Sequence, residues 1–269
     1  MKFYKYQGTG NDFVMIDNRN EVFPKADIKL IEKLCDRRFG IGADGLILLE
    51  NESGVDFKMV YFNSDGNQST MCGNGGRCLV AFAKQLNIIS NQATFTAIDG
   101  LHYATVLENG TVSLQMQDVL EVRVEPNYFF LNTGSPHHVQ LVNNLQQYDV
   151  KATGGKIRYG ALYKKEGSNI NFVSKIAHNH FAIRTYERGV EDETLSCGTG
   201  ATATAIAMYV AEKTKAINGN GALQNVTNKI TQDIDVQGGT LTVTFSENNG
   251  IFSNIFLVGP ATFVFEGII

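Results

Sequence analysis

The chain has 269 residues, of which 43% are hydrophobic and 19% charged, and its formal net charge is −4. This length can bury a sizeable core in one large domain or two ordinary ones. The nearly balanced charge argues against an electrostatic nucleic-acid interface. The first six residues lack the apolar core of a signal peptide, and no stretch approaches the roughly 20 apolar residues of a membrane helix. We therefore expect a cytoplasmic protein with no nucleic-acid partner and no membrane partner.

The four cysteines are Cys35, Cys72, Cys78 and Cys197. They form no Cys-x-x-Cys pair and no Cys/His cluster at zinc spacing, so we expect reduced thiols, no disulfide scaffold and no structural metal. Cys35 and Cys78 fall within apolar helical faces, where a cysteine is usually a small core residue.

In the first half of the chain, residue periodicity predicts an amphipathic helix near 27–36, with Ile28, Ile31, Leu34 and Cys35 on its apolar face. Strands are predicted at 13–16 and 57–62, and a helix at about 73–87. Asn109-Gly110 lies between two alternating segments and predicts a hairpin.

The segment Gly40-Ile41-Gly42-Ala43-Asp44-Gly45 matches the dinucleotide-binding pattern G-x-G-x-x-G. That pattern requires a strand before it and a helix after it. Here a helix is expected before the segment and a strand after it, so we interpret it as a connection and not as a nucleotide site.

The second half repeats this order, with strands at 139–142 and 181–186, a helix at about 198–213, and turns at Gly238-Gly239 and Asn249-Gly250. No charged side chain occurs from Gly198 through Ala211. A helix with no polar stripe for solvent is expected to be surrounded by protein.

Two pairs of landmarks indicate an internal duplication. Thr133-Gly134-Ser135 lies 124 positions after Thr9-Gly10-Asn11, and Cys197 lies 125 positions after Cys72. We predict an α+β fold with two pseudo-symmetric domains, residues 1–117 plus 260–269 and residues 118–259. Each would be a mostly antiparallel sheet or barrel wrapped around a central helix, with the active site in the cleft between the domains.

Each copy places a cysteine just before a helix whose first residues are Gly-x-Gly, in Cys72-Gly73-Asn74-Gly75 and Cys197-Gly198-Thr199-Gly200. The unpaired N–H groups and the positive end of the helix dipole favour a thiolate there and also form a ready carboxylate site. Hydrolysis by a cysteine needs one nucleophile and one base. Stereoinversion at carbon needs a base on one face and an acid on the other, which two opposed thiols supply. The duplication therefore favours stereoinversion.

Two weaker features allow more than one interpretation. His178 and His180 could offer metal ligands on a strand, but no carboxylate partner is evident in the sequence, so core or surface histidines are the preferred interpretation. Glu187-Arg188 and Glu191-Asp192-Glu193 are consistent either with a solvated loop or with a functional one.

Five segments together resemble the diaminopimelate epimerase family, and they are Gly8 to Phe13, Asn63 with Asp65-Gly66, Met71 to Cys78, Glu187-Arg188-Gly189 and Cys197 to Gly200. The resemblance extends from Gly8 to Gly267. It implies interconversion of LL- and meso-2,6-diaminopimelate without a cofactor, in the synthesis of lysine and peptidoglycan. It also implies a homodimer formed through the first half of the chain, with Phe265 near the contact.

The same resemblance implies a role for each site residue. Cys72 and Cys197 would be the paired acid and base. The backbone N–H groups that hold the reacting carboxylate would be those of Gly73, Asn74, Gly198 and Thr199, and the distal end of the substrate would be bound by Asn11, Asn63, Asn169, Glu187 and Arg188. His137 and Glu187 would modulate the thiol pKa values. Ser135 would be a substrate contact where the family usually has asparagine, and the family usually has glutamine near Gly45.

Two alternatives remain at this point. Racemases of other amino acids, of the histidine or hydroxyproline type, share the two thiols, although Asn74 stands where proline-type members tend to carry histidine. A protein that binds an amino acid without catalysis would keep the fold but would have no need of both cysteines.

Overall fold

A computed structural model describes residues 1–69, 71–218 and 229–269. Contacts within the chain divide it into two compact units. Unit 1 comprises Met1–Gln115 and Gly259–Ile269, and unit 2 comprises Met116–Val258.

Over its described residues, unit 1 is one sheet of eight strands with two helices. Its strands are β1 (Lys2–Gly8), β2 (Asn11–Asp17), β3 (Gly45–Glu50), β4 (Phe57–Asn63), β5 (Gln92–Ala97), β6 (Gly100–Val106), β7 (Val112–Gln115) and β17 (Thr262–Ile268), and its helices are α1 (Ile28–Cys35) and α2 (Gly73–Gln85). The spatial order is β17-β1-β2-β3-β4-β5-β6-β7, and only the β2–β3 and β4–β5 pairs are parallel.

Helix α2 is the central helix of unit 1. It contacts strands from both ends of the sheet order, including β17 and β7, because the sheet curls around it. Most of its side chains are buried, including Cys78, Leu79 and Phe82. Burial raises the pKa of the Cys78 thiol to about 12, so this thiol stays protonated and acts as a core residue.

Helix α1 begins after Asp27, whose side chain accepts a hydrogen bond from the Leu30 N–H at 3.0 Å. Ile31, Leu34 and Cys35 are buried against the outer face of the sheet, as the amphipathic pattern predicts. Ile28, three residues before Ile31 and seven before Cys35, shares this face. It is 47% exposed because the first turn of the helix extends beyond the core cluster.

In the part of the chain that the structure describes, unit 2 is built from nine strands and two α-helices. Its strands are β8 (Val122–Val124), β9 (Phe129–Asn132), β10 (Pro136–Leu141), β11 (Asn169–Ala177), β12 (His180–Glu187), β13 (Asp192–Thr194), β14 (Ile230–Val236), β15 (Gly239–Asn248) and β16 (Ile251–Gly259), and its α-helices are α3 (Val150–Arg158) and α4 (Gly198–Asn218), with a 3₁₀ turn at Leu145–Gln147. The main order is β8-β9-β10-β11-β12-β14-β15-β16, and β13 pairs with the end of β12.

The two units have the same series of strand orientations. The series starts at β17 in unit 1 and at β8 in unit 2. In each unit, the first two strand pairs are antiparallel, the next three are parallel, antiparallel and parallel, and the last two are antiparallel. The predicted α+β class with two similar, mostly antiparallel domains around central helices is confirmed. The hairpins at Asn109-Gly110 and Asn249-Gly250 are also confirmed.

Helix α4 is the central helix of unit 2. None of the residues from Gly198 through Ala211 is exposed, which confirms the inference from their lack of charge.

The interpretation of Glu191-Asp192-Glu193 as a solvated loop is wrong, because Asp192–Thr194 forms β13 on the edge of β12 and Glu193 pairs with Arg184. In the ranges that the structure describes, no helix is long and apolar enough to cross a membrane.

The contact of α3 with β12 depends on one glycine. A Cβ at Gly154 would lie 2.4 Å from Tyr186 Cβ, whereas a Cβ at Gly155 would be 3.6 Å from the Tyr186 hydroxyl oxygen, an ordinary contact distance. We expect Gly154→Ala to lower the free energy of unfolding by about 1–3 kcal/mol through overpacking. Gly155→Ala, its matched control, should raise it by about 0.5–1 kcal/mol because alanine favours a helix. Denaturant midpoints measure both, and equal effects of the two changes would refute the packing argument.

Candidate active site

Cys72 is the N-cap residue of α2. Its backbone is extended, with φ −102° and ψ 125°, and its carbonyl accepts the first helical hydrogen bond from the Gly76 N–H at 2.7 Å. The side chain is half-buried, while Gly73 and Asn74 behind it are buried. The N–H groups of the first turn have no carbonyl partner within the helix, so this end attracts a negative charge.

The Asn74 side chain connects the start of α2 to β2. Its Nδ2 donates a hydrogen bond to Asn11 Oδ1, and its Oδ1 accepts one from Arg77 Nη2 at 2.8 Å. Asn11 in turn donates from Nδ2 to Asp44 Oδ2 at 2.9 Å. Asn11 and Asn74, which the family resemblance assigns to substrate binding, are therefore hydrogen-bonded directly to each other.

Asn11 and Asn63 lie on the same face of the unit 1 sheet. Phe13 of β2 pairs with Gly45 of β3, and Gly45 pairs with Asn63 of β4. Because alternate residues of a strand share a face, Asn11 and Asn63 are on the face of Phe13. A Cβ at Gly75 would be 3.5 Å from the Phe13 ring, so the start of α2 packs on this same face.

Gly45 has no room for a side chain. A Cβ there would lie 2.5 Å from both the Phe62 carbonyl oxygen and Tyr61 Cε2. Tyr61 is two residues before Asn63 on β4 and shares its face, where its ring packs edge-on against Phe13. A side chain at position 45 would therefore clash with β4.

Cys197 immediately precedes α4 and repeats the setting of Cys72. Its carbonyl accepts from the Ala201 N–H at 2.9 Å, and its Sγ is 3.5 Å from Thr199 Oγ1. The Thr199 carbonyl accepts from Thr133 Oγ1 at 2.9 Å, which ties the first turn of the helix to the turn before β10. Cys197 is 7% exposed and so lies deeper than Cys72.

Asn169 forms hydrogen bonds with two other predicted substrate-binding residues of unit 2, Ser135 and Arg188. Its Nδ2 donates to Ser135 Oγ at 2.8 Å, and its Oδ1 accepts from the Arg188 backbone N–H at 2.9 Å. The Arg188 side chain is exposed and donates to the Glu166 carbonyl oxygen at 3.0 Å. The shorter serine at position 135 thus still reaches Asn169.

Glu187 and His137 occupy the same face of the unit 2 sheet as Asn169. The half-buried Glu187 accepts a hydrogen bond at Oε2 from Thr194 Oγ1 at 2.8 Å. His137 is paired with Asn169 in the β10–β11 register and has no exposed surface. Burial, helped by the positive charge of Arg188, lowers the pKa of His137 to about 3, so its ring is neutral at physiological pH.

The histidines at the other end of β12 are not part of this cluster. His178 and His180 flank a tight turn at Asn179, which has φ 54°, and do not lie together on one strand. His180 Nε2 is 3.0 Å from Asp235 Oδ2, a carboxylate that was not evident as a partner in the sequence. Within the described ranges, no group of three His, Cys, Asp or Glu side chains could hold a metal ion.

Sequence reasoning missed three buried polar residues of these clusters. They are Arg77 in α2, Asn171 in β11 and Thr185 in β12. Asn171 and Thr185 could have been found, because each lies two residues from a predicted site residue, Asn169 or Glu187, and so shares its face. Arg77 gave no such signal, since a charged residue in the first turns of a helix usually faces solvent.

The fold is one that other two-domain proteins share. A PhzF-family phenazine biosynthesis protein from Bacillus anthracis superposes with a TM-score of 0.73 at 14% identity, covering 100% of this chain and 99% of that one. A hydroxyproline epimerase from Agrobacterium vitis, solved with bound trans-4-hydroxy-L-proline, gives a TM-score of 0.63 at 13% identity, covering 99% and 91%. At these identities the likeness establishes the fold class and nothing about substrate.

The family follows from sequence. Residues 3–121 and 129–264 match the diaminopimelate epimerase family. The diaminopimelate epimerase of Flavobacterium psychrophilum is 67% identical over 266 residues, which are 99% of each chain, and that of Chlorobaculum tepidum is 41% identical over 270 residues, covering 97% of this chain and 98% of the other. This chain belongs to the diaminopimelate epimerase family.

Proposed function

We propose that this protein interconverts LL- and meso-2,6-diaminopimelate without a cofactor, through an acid and a base that are both cysteines. The observation that supports this most directly is the 67% identity to a diaminopimelate epimerase over nearly the whole chain. The two cysteines, each at the start of a central helix, supply the chemistry that such a reaction requires.

The proposed reaction moves one proton off carbon and another onto it. The thiolate of one cysteine takes the α-proton, and the electron pair left on carbon is delocalised into the α-carboxylate. The thiol of the other cysteine then delivers its proton to the opposite face, which inverts the centre and exchanges the roles of the two sulfurs. Cys72 and Cys197 would each act as base for one stereochemical direction.

The charge that develops on the carboxylate requires donors that are already in place. The N–H groups of Gly73, Asn74, Gly198 and Thr199 are proposed for this role, because such groups at helix starts are fixed before the reaction begins. At the distal end, Asn11, Asn63, Ser135, Asn169, Glu187 and Arg188 are proposed to bind the second amino acid group. Their mixture of amides, hydroxyl and both charges suits an ammonium and a carboxylate.

The cellular compartment, the partners and the oligomeric state of the enzyme are also proposals. Thiols that must stay reduced favour the cytoplasm, and the net charge of −4 gives no reason to expect a nucleic-acid partner. We propose a homodimer, supported by the exposed apolar residues Phe263, Val264, Phe265 and Ile268 on β17. No membrane partner is proposed.

The test is a steady-state assay of the purified protein on LL-2,6-diaminopimelate in ²H₂O, with separation of the stereoisomers. We expect conversion to the meso isomer, with one solvent deuterium at the inverted centre, and unchanged rates when chelator is added or pyridoxal phosphate is omitted. Histidine and trans-4-hydroxy-L-proline serve as the comparison substrates. Faster turnover of either would identify a racemase of another amino acid, and tight diaminopimelate binding without exchange would identify a non-catalytic binding protein.

A further inference from the structure

Asn171 is fully buried in β11 and bonds to the strands on both sides of it. Its Nδ2 donates to the His138 carbonyl oxygen at 2.9 Å and to His137 Nδ1 at 3.1 Å, and its Oδ1 accepts from Thr185 Oγ1 at 2.9 Å. A carbonyl oxygen can only accept, so the amide nitrogen must face His138 and His137. The orientation of the amide is therefore fixed by the backbone of β10.

This orientation determines which nitrogen of His137 carries hydrogen. Since Asn171 Nδ2 is a donor, His137 Nδ1 must accept, and a neutral ring then bears its hydrogen on Nε2. The low pKa of His137, about 3, keeps the ring neutral. Its buried Nε2 has no hydrogen-bond partner among the described residues. A buried N–H donor without an acceptor is costly and is rarely kept without a role.

The amide lies beside the second proposed catalytic sulfur. A Cβ placed on Gly200 would be 2.5 Å from Asn171 Oδ1 and 3.3 Å from Cys197 Sγ, so both groups border the same turn of α4. Helix α4 also contacts β10, the strand that carries His137. The unpaired donor thus belongs to the unit 2 cluster at the start of α4.

We propose that Asn171 is a positioning residue that fixes His137 as the Nε2–H tautomer, so that the ring acts as a neutral hydrogen-bond donor to an anionic group beside Cys197 and not as a base. The Nδ1 lone pair is occupied and Nε2 already carries hydrogen, so the ring has no position at which to receive the Cys197 proton. The acceptor would be either the Cys197 thiolate or the carboxylate of the bound amino acid. The catalytic consequence rests on the proposed function, but the tautomer does not.

The tautomer is measured directly by NMR of the full-length protein labelled with ¹⁵N-histidine, with the His137 signals assigned by their absence in His137→Gln. We expect the pattern of a neutral ring with hydrogen on Nε2, unchanged between about pH 5.5 and 8.5. The neighbouring group whose charge bears on the ring is Arg188. A ring protonated at Nδ1, or at both nitrogens, would overturn the proposal, and this experiment needs no turnover.

The same spectra identify the acceptor. A changed Nε2 shift in Cys197→Ala without ligand would assign the thiolate. A change only on adding LL-2,6-diaminopimelate would assign the substrate carboxylate. An Nε2 shift that responds to neither would show that His137 is not a donor in this site, whatever its tautomer.

The role of Asn171 is tested by Asn171→Leu, which removes both donated hydrogen bonds at similar side-chain volume. We expect mixed tautomers at His137 and a kcat lowered by about 10²-fold, with KM changed by less than about 3-fold, since a fixed donor acts on developing charge more than on binding. An unchanged His137 spectrum in this variant would overturn the proposal.

A matched control separates positioning from general loss of structure. Asn18 is also fully buried, and it donates to Glu50 and accepts from the Phe23 N–H in unit 1. Asn18→Leu should lower stability while leaving the His137 signals and kcat unchanged. If Asn171→Leu does not fold, Thr185→Val supplies a milder test, because it releases the amide oxygen and should loosen the same tautomer without removing Asn171.

Discussion

Alanine at Cys72 or at Cys197 is expected to lower kcat/KM for diaminopimelate inversion by about 10⁴-fold, because an acid or base in direct contact with the reacting carbon contributes roughly 10²–10⁴ and no other thiol replaces it. Each variant still keeps one thiol. We therefore expect slow α-proton exchange without inversion on a single stereoisomer, with the two variants acting on opposite stereoisomers. Mass spectrometry of each isomer after incubation in ²H₂O measures this.

The control for the loss of a sulfur is Cys35→Ala. Cys35 is the last residue of α1 and lies in the core, where burial raises its pKa to about 11, so its thiol is protonated and is not expected to take part in the reaction. This variant should lose some stability but keep the wild-type rate at a temperature where it is folded. Inversion at more than a tenth of the wild-type rate in Cys72→Ala or Cys197→Ala would exclude the two-thiol mechanism.

The fold was largely predictable because its signals are local and occur twice. Turns such as Asn109-Gly110, the charge-free start of α4 and the repeated Cys-Gly-x-Gly segments each depend on neighbouring residues only. Strand β13 was missed because a three-residue strand of acidic and polar residues has no apolar alternation. Its stability comes from pairing with β12 and from the ion pair of Glu193, both of which are tertiary.

The candidate site was predictable to the level of its named motifs but not of the residues between them. Positions 124 apart occupy matching places in the two halves, so that Ile47 corresponds to Asn171 and Phe13 to His137. The duplication was visible in the sequence. At one pair of matching positions, one copy has an apolar side chain and the other a hydrogen-bonded amide. This difference became evident only from the strand register, which determines which residues face the helix.

The burial of the Arg77 cation is energetically unfavourable, and its surroundings in the fold do not compensate for it. It has no exposed surface, and no carboxylate of the described residues lies within ion-pair distance of it. Its donors reach Asn74 Oδ1 at 2.8 Å and the Gly73 carbonyl at 3.3 Å, and its Nε has no partner. Burial lowers the pKa of Arg77, and negative charge on Cys78 or Cys72 opposes that shift. Because Cys78 stays protonated, the anion that best offsets this cation is the thiolate of Cys72.

We expect Arg77→Met to lower kcat/KM by about 10²–10³-fold while changing the free energy of unfolding by less than about 1 kcal/mol. A lone buried cation costs several kcal/mol of desolvation, and this cost approximately cancels the hydrogen bonds that methionine gives up. Without the cation the Cys72 thiolate forms less readily. The acid limb of the pH–rate profile should therefore move to higher pH by at least about one unit, equivalent to about 1.4 kcal/mol.

Two further variants separate charge from shape. Arg77→Lys keeps the positive charge without the planar fork, so we expect the acid limb to return toward its wild-type position while kcat stays low, because lysine cannot bond Asn74 and Gly73 together. Arg19→Met removes a half-buried arginine, remote from the thiols in sequence, whose guanidinium pairs with Asp17, and it should move neither quantity. A pH profile that is the same in Arg77→Met and wild type would show that Arg77 supports the helix start by packing alone. In that case the buried charge would have to be explained by Asn74 and its contact with Asn11, independently of the thiol.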